Sequence, residues 1–283
     1  MKKVNTPLMI GLLLCFCSIT LYGSNTIKGS VINQKTKEGI PYVNVGIFDK
    51  NIGTVTTENG EFELILNSQY LGEFVTFSSI GFKTKEIAVS ELLKKETPVI
   101  IVLEEKETIL DEVLISVRKK RKYKTRTLGI KRASSYYLGY IGGEKKAGAE
   151  IARKMHPRGR ATIVSASVYV KNMDIEKKPY TLRLNVYDVD KEGNPGNILL
   201  SEPVYITSTR SDGWLRHTFK EKIVVEAPFY ISYEWLTTGK ATPFIALKGS
   251  LYTGDAIRTR SISLGKWKKE RGFNFAIQSV VLK

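Results

Sequence analysis

Short runs in which apolar and polar residues alternate, each closed by glycine, proline, asparagine or aspartate, fill most of the chain from Ile27 onward. Side chains of a strand point alternately to opposite faces, so such runs predict half-buried strands. In the first third they fall at 27–33, 42–48, 53–57, 61–66, 73–79, 83–89 and 97–103, the rhythm of an antiparallel sandwich. Within 61–66, Phe62, Leu64 and Leu66 share one face, opposite Glu61, Glu63 and Ile65. Asn59-Gly60 predicts a tight hairpin in which both turn positions take positive φ. Residues 90–95 read as one helical turn. From about Tyr136 the alternation resumes, clearest at 161–170, 180–189, 204–207, 213–219, 229–235, 244–247 and 273–282. No stretch of helical length carries an apolar stripe. The expected class is all-β, a seven-stranded sandwich followed by a jelly-roll-like β-sandwich of about eight strands.

The first set of runs contains, in order, Ile27-Lys28-Gly29-Ser30-Val31, Pro41-Tyr42-Val43-Asn44-Val45, Gly53-Thr54, Asn59-Gly60-Glu61-Phe62, Ile80-Gly81-Phe82 and Leu110-Asp111-Glu112-Val113. Together these resemble the carboxypeptidase-regulatory-like domain over nearly all of 27–113. The resemblance implies a transthyretin-like sandwich serving as an accessory module on secreted and surface proteins of Gram-negative cell envelopes. It implies no peptidase activity and carries no catalytic residues. Residues 108–117 read as the module's exit strand, with a strand offered to a periplasmic partner by β-augmentation as the alternative that the resemblance implies.

Lys2 and Lys3 precede an apolar stretch at 7–21, followed by Gly23 and Ser24. That layout predicts a signal peptide cleaved after Gly23, too short for a membrane span. An exported protein of the periplasm, outer membrane or cell surface is expected. Cys15 and Cys17 both lie inside the signal, preceded by Leu14 and Phe16 rather than by a small residue, so a lipoprotein is not expected. The processed chain then has no thiol, which excludes disulfides, cysteine nucleophiles and thiolate metal sites.

The formal charge of +16 is unevenly spread. Residues 24–117 hold 9 basic and 14 acidic residues, 118–132 hold 9 basic and no acidic ones, and 133–283 hold 24 and 14. The expected organisation is a signal peptide at 1–23, a first domain at 24–107, an exit strand and basic linker at 108–132, and a second domain at 133–283. Arg118, Lys119, Lys120, Arg121, Lys122, Lys124 and Arg126 read as a solvated, self-repelling linker, with contact to an anionic membrane surface as the alternative. Tyr123 is the run's one aromatic, a poor stacking platform, and an exported chain meets no nucleic acid.

Candidate chemistry lies in the second domain. Alternation sets Leu182, Leu184 and Val186 against Arg183, Asn185 and Tyr187, and sets Phe229, Ile231, Tyr233 and Trp235 against Tyr230, Ser232 and Glu234. Rings beside hydrogen-bonding groups suit a glycan, so Arg183, Asn185, Tyr187, Tyr230, Ser232 and Glu234 are the candidate ligand residues. The plainer reading is an ordinary solvent-facing sheet. Asp188, Asp190 and Glu192, with Gly193, open like a calcium loop. Leu199 stands where an EF-hand needs a bidentate glutamate, so a polar turn is preferred and calcium is the alternative.

His156 reads as a loop residue and His217 as one packed in a sheet. Neither belongs to a nucleophile elbow, a phosphate loop or a zinc pair. No cofactor and no catalysis are expected. The leading expectation is a non-catalytic envelope accessory protein whose partners are envelope proteins or glycans. A structural or assembly protein and a hydrolase using two carboxylates are the alternatives.

Overall fold

The computed structural model describes residues 24–96, 98–106, 124–134, 137–143, 147–239, 242–251 and 257–283. The expected signal peptide, the exit strand at 108–117 and Arg118, Lys119, Lys120, Arg121 and Lys122 lie outside them. The chain is all-β. Its first strands are β1 (Ser24–Asn33), β2 (Asn44–Ile47), β3 (Ile52–Val55), β4 (Glu61–Asn67), β5 (Phe74–Ser78), β6 (Lys85–Ala88) and β7 (Val99–Leu103). They form a three-stranded sheet in the order β4-β1-β7 and a four-stranded sheet in the order β3-β2-β5-β6. β1 pairs antiparallel with β4 and parallel with β7. The expected helical turn is α1 (Val89–Leu92), which buries Val89 and Leu92 in the first core, and a 3-10 turn at Ser68–Tyr70 follows β4.

The alternation read in β4 holds. Phe62, Leu64 and Leu66 are buried with Val31, Val45, Phe77 and Ile101 between the two sheets, while Glu61, Glu63 and Ile65 face outward. The turn after β3 differs from expectation. Only Gly60 of the Asn59-Gly60 pair has positive φ, at 80°, and the turn joins strands of different sheets rather than a hairpin. It closes with Thr57 N–H donating to Glu61 O at 2.8 Å and Gly60 N–H donating to Thr57 O at 3.0 Å. Glycine is required there by crowding as well as by φ, since a Cβ on Gly60 would stand 2.6 Å from Val31 O.

The remaining strands are β8 (Thr125–Gly129), β9 (Tyr137–Gly142), β10 (Glu150–Met155), β11 (Ala161–Asn172), β12 (Tyr180–Val189), β13 (Pro195–Ile198) and β14 (Val204–Ser208), followed by β15 (Asp212–Val225), β16 (Phe229–Trp235), β17 (Phe244–Leu251), β18 (Ile257–Arg260), β19 (Lys268–Glu270), β20 (Phe273–Phe275) and β21 (Ile277–Leu282). They build two seven-stranded sheets. One runs β13-β12-β16-β10-β18-β19 with β14 beside β12. The other runs β20-β17-β11-β21-β8, with β15 beside β11 and β9 beside β17. Their facing sides enclose a second core that includes Val168, Leu184, Ile231, Trp235, Ile245 and Ile277.

Two expectations are corrected here. The second sandwich has fourteen described strands rather than about eight, because β8, β10, β18 and β19 carry Arg126, Glu150, Arg153, Arg258, Arg260 and Lys268 and so lack an apolar alternation. The basic linker also ends earlier than residue 132. Arg126 lies in β8 opposite Val281 of β21, and the Lys124 backbone exchanges hydrogen bonds of 3.1 and 3.0 Å with Lys283. Backbone pairing along a sheet edge fixes these residues whatever their side-chain charge.

The two sandwiches meet along a seam. Buried Ser263, in the turn after β18, is wedged between Gly46 and Gly53 of the first sandwich and Gly148 of the second. Asp49 N–H donates to Leu264 O at 2.9 Å. Tyr42, Val55 and Leu236 add a small apolar cluster beside the wedge. A Cβ at Gly53 would lie 2.4 Å from Ser263 O, which is backbone and cannot swing aside. Gly53→Ala is therefore expected to cost about 1–3 kcal/mol, the usual penalty of overpacking, read as a lower urea midpoint. Gly72→Ala, with nothing within 4 Å of the added carbon, should leave the midpoint unmoved. Equal midpoints for the two variants would show that the wedge is slack.

Candidate functional site

The side chains that alternation turns away from the second core do converge, but into a closed seam rather than an open face. The register places Arg183 of β12 opposite Glu234 of β16, Glu234 opposite Glu150 of β10, and Glu150 opposite Arg260 of β18. One row across four strands therefore reads cation, anion, anion, cation. The next row is Asn185, Ser232, Ala152 and Arg258, followed by Tyr187, Tyr230 and Lys154.

All six candidate ligand residues are buried: Arg183 is 3% exposed, Asn185 1%, Tyr187 5%, and Tyr230, Ser232 and Glu234 0%. The expected solvent-facing glycan surface at these positions is thereby corrected. Three elements cover it. Tyr42 and Asn44 of the first sandwich lie on Arg183. Trp267 packs against Tyr187, with ring centroids 6.2 Å apart. The turn at Gly193 accepts the Tyr230 hydroxyl at 2.6 Å.

Arg183 is the hinge pin of this arrangement. Its Nε donates to Glu234 Oε2 at 2.8 Å, its Nη1 donates to the Tyr42 carbonyl at 2.7 Å, and its Nη2 reaches Asn44 Oδ1. Tyr42 holds a positive φ of 55°, a conformation that costs a non-glycine residue on the order of 1–3 kcal/mol. Its ring packs 4.9 Å from Tyr205, and its hydroxyl donates to Glu58 at 2.7 Å. The conformation is held from both sides.

The two carboxylates differ in how they are served. Glu150 accepts from Arg260 Nε at 2.8 Å, Asn185 Nδ2 at 3.0 Å and the Tyr187 hydroxyl at 3.1 Å, and also from the Ser232 hydroxyl. Burial pushes its pKa up, but Arg260 and these hydrogen bonds outweigh it and hold the group below the usual carboxylate range. Among the described residues Glu234 accepts hydrogen bonds from Arg183 alone, and its Oε1 accepts none. Burial dominates there, Arg183 offsets it only in part, and the like charge of Glu150 adds to it, so its pKa is raised. Directly opposed like charges are normally avoided in a sheet. Here the flanking arginines and the unequal donor supply let the pair coexist.

The calcium alternative also resolves into local structure. Asp188 accepts the Asn197 backbone N–H at 2.6 Å and its side-chain amide at 3.1 Å, while Asp190 Oδ1 accepts the N–H groups of Glu192 and Asn194 at 2.9 and 2.8 Å. The oxygens of Asp188 and Asp190 thus brace a turn, and Glu192 Oε2 receives the Asn194 side-chain amide at 3.4 Å. Among the described residues, no three His, Cys, Asp or Glu side chains group as metal ligands. His217 packs edge-on to Phe219 with centroids 5.0 Å apart, and partial burial lowers its pKa.

Beside the seam runs an open groove of about 990 Å³. Its walls come from the outer side of β1 and β4 on one hand and from Ala147, Thr237 and Ile262 on the other. None of the six candidate residues lines it, and its Lys28 and Glu63 pair with each other at 3.9 Å.

Residues 27–115 match the CarboxypepD_reg-like domain family, the domain that the motifs of this segment resemble. No curated protein matches the chain. Among solved structures, the T=1 particle derived from infectious bursal virus is 10% identical, covering 92% of this chain and 77% of that one at a TM-score of 0.29. The infectious bursal disease virus Gx strain is 11% identical, with coverages of 92% and 78% and a TM-score of 0.25. Superposition at this level defines no shared fold.

Two outcomes follow from the charged row. Arg183→Met should lower stability by about 3–5 kcal/mol, because it leaves Glu234 buried without a cation. Adding Glu234→Leu should restore a large part of that, and a double variant no better than the single would mean that the seam bonds to Tyr42 and Asn44 dominate. The second outcome concerns pH. Glu150, with its folded pKa depressed, contributes stability that is present above the ordinary carboxylate value and lost as pH falls through the folded one. Glu234, with its folded pKa raised, contributes stability that is complete below the ordinary value and lost as pH rises through the folded one. At pH 7, Glu150→Gln should therefore destabilise more than Glu234→Gln, and it should remove part of the acid-side fall in stability. Urea titrations at pH 3, 5 and 7 read this, the acid-side fall lying below the ordinary carboxylate value, and the reverse order at pH 7 would contradict the assignment.

Proposed function

We propose that this is a non-catalytic accessory protein of the bacterial cell envelope, in which the CarboxypepD_reg-like module is held rigidly against a larger sandwich that presents the binding surface. The observation carrying this reading is the Arg183–Glu234–Glu150–Arg260 row. This concentration of ionisable chemistry is shut away from solvent, and Arg183 also donates to the Tyr42 carbonyl and the Asn44 side chain of the module. Buried charges bonded to one another and to a neighbouring module join parts and fix their orientation. A pair of catalytic carboxylates would instead open onto a substrate cleft. The same reading absorbs the signal-like N-terminus, the cysteine-free remainder and the module's resemblance to parts of envelope proteins.

The structural or assembly reading differs only in the partner, protein instead of glycan. Fractionation of cells expressing the full chain with a mid-chain tag, followed by chemical cross-linking, tests the proposal. Recovery in the periplasmic or outer-membrane fraction as a cross-linked complex is the expected result. Recovery in the cytosol, or turnover of envelope glycans or peptides by the purified chain that Glu150→Gln abolishes, would overturn it.

A further inference from the structure

We propose that the outward face of the sheet formed by β15, β11, β17 and β9 binds an acidic glycan. This deepens the accessory-protein reading by naming its surface and its class of ligand. Alternation places Val168, Val170, Leu215 and Leu247 in the second core. The same alternation turns Tyr169, Trp214 and Arg216 outward, and with them Phe244, Lys248 and Tyr140.

These residues form a band. Tyr169 stands directly opposite Trp214, with ring centroids 5.5 Å apart and planes at 78°. Lys248 Nζ lies 4.6 Å from the Tyr169 ring centroid. Two strands away, Tyr140 meets Phe244 edge-on at 5.8 Å, and these two are 65% and 42% exposed. From β15 to β9 is three strand spacings, about 14 Å. A band of that width accommodates a few sugar units laid across the strands.

Charge selects the class of sugar. The outward positions of β15 and β11 carry Lys171, Arg216, Lys220 and Lys222, and Asp212 is their one carboxylate among the described residues. Asp212 is itself hydrogen-bonded to the Tyr169 hydroxyl and stands opposite Lys171. Guanidinium and ammonium groups bind carboxylates or sulfates through charge-assisted hydrogen bonds. The ring faces pack on the apolar C–H faces of pyranoses. An anionic lipid surface needs the cations and not the rings, so loss of the rings distinguishes the two.

The test uses the purified full chain, so its outcome is independent of the compartment experiment. Affinity electrophoresis through gels holding sodium polygalacturonate or neutral dextran measures retardation at two salt concentrations. The wild type should be retarded by polygalacturonate alone, less so at higher salt. Tyr140→Ala, on an exposed ring that packing does not need, and Trp214→Ala should each weaken retardation at least fivefold. Arg216→Ser should weaken it comparably. The basic run from Arg118 to Arg126 is intact in all of these. Retardation indifferent to Tyr140 and Trp214 would assign binding to that run and sink the proposal, as would a wild type that migrates freely or is held equally by dextran.

Discussion

A buried guanidinium is the constraint from which the rest of this architecture follows. Arg183 sits on a central strand of the larger sandwich, pointing away from its core, and can stay charged there only if its donors are all engaged. Glu234 and Tyr205 of the same sandwich take part of that demand, and the smaller sandwich takes more of it through the Tyr42 carbonyl and the Asn44 amide oxygen. Without the module the arginine faces water and the row loses its cover. Without the row the module is held by a narrow apolar cluster, the serine wedge, the Asp49–Leu264 backbone bond and the contact of Ile80 with the second core. Neither part is complete as a surface by itself.

The seam also explains why several of the module's most recognisable residues are not core residues. Tyr42 and Asn44 belong to the Pro41–Val45 motif, and Gly53 to the Gly53-Thr54 pair. Val43 and Val45, between them, serve the module's own core. Tyr42, Asn44 and Gly53 serve the contact, one with its carbonyl, one with its amide and one by having no side chain. The same short motif thus builds the sandwich on one face and joins it to its neighbour on the other, as the period of two along a strand permits.

Much of this was legible in the sequence. The faces of β12 and β16 came out as alternation set them, with Leu182, Leu184, Val186, Ile231 and Trp235 inward, and the six outward residues do lie together. Their burial was not legible, for two physical reasons. The partner strands β10 and β18 carry no alternation to assign, since Glu150, Arg153, Arg258 and Arg260 interrupt any apolar period. Their pairing is decided by ladder hydrogen bonds and by each other's charges. The cover comes from Tyr42, 141 residues before Arg183, and no local pattern reports a contact of that range. A charged residue repeated at alternate positions was the available signal, as in Arg258 and Arg260.

A joint that closes over a charged row has a consequence for how the chain is assembled. Contacts so far apart in sequence form late, after each sandwich has gathered its own strands. In the interval the larger sandwich's side of the joint is mainly hydrated arginines, glutamates and tyrosine hydroxyls, and the apolar contact is confined to Tyr42, Val55 and Leu236. Such half-built species have scant reason to stick to one another. A greasy joint would hold the finished molecule as well, but it would expose an adhesive patch during every passage from unfolded to folded chain.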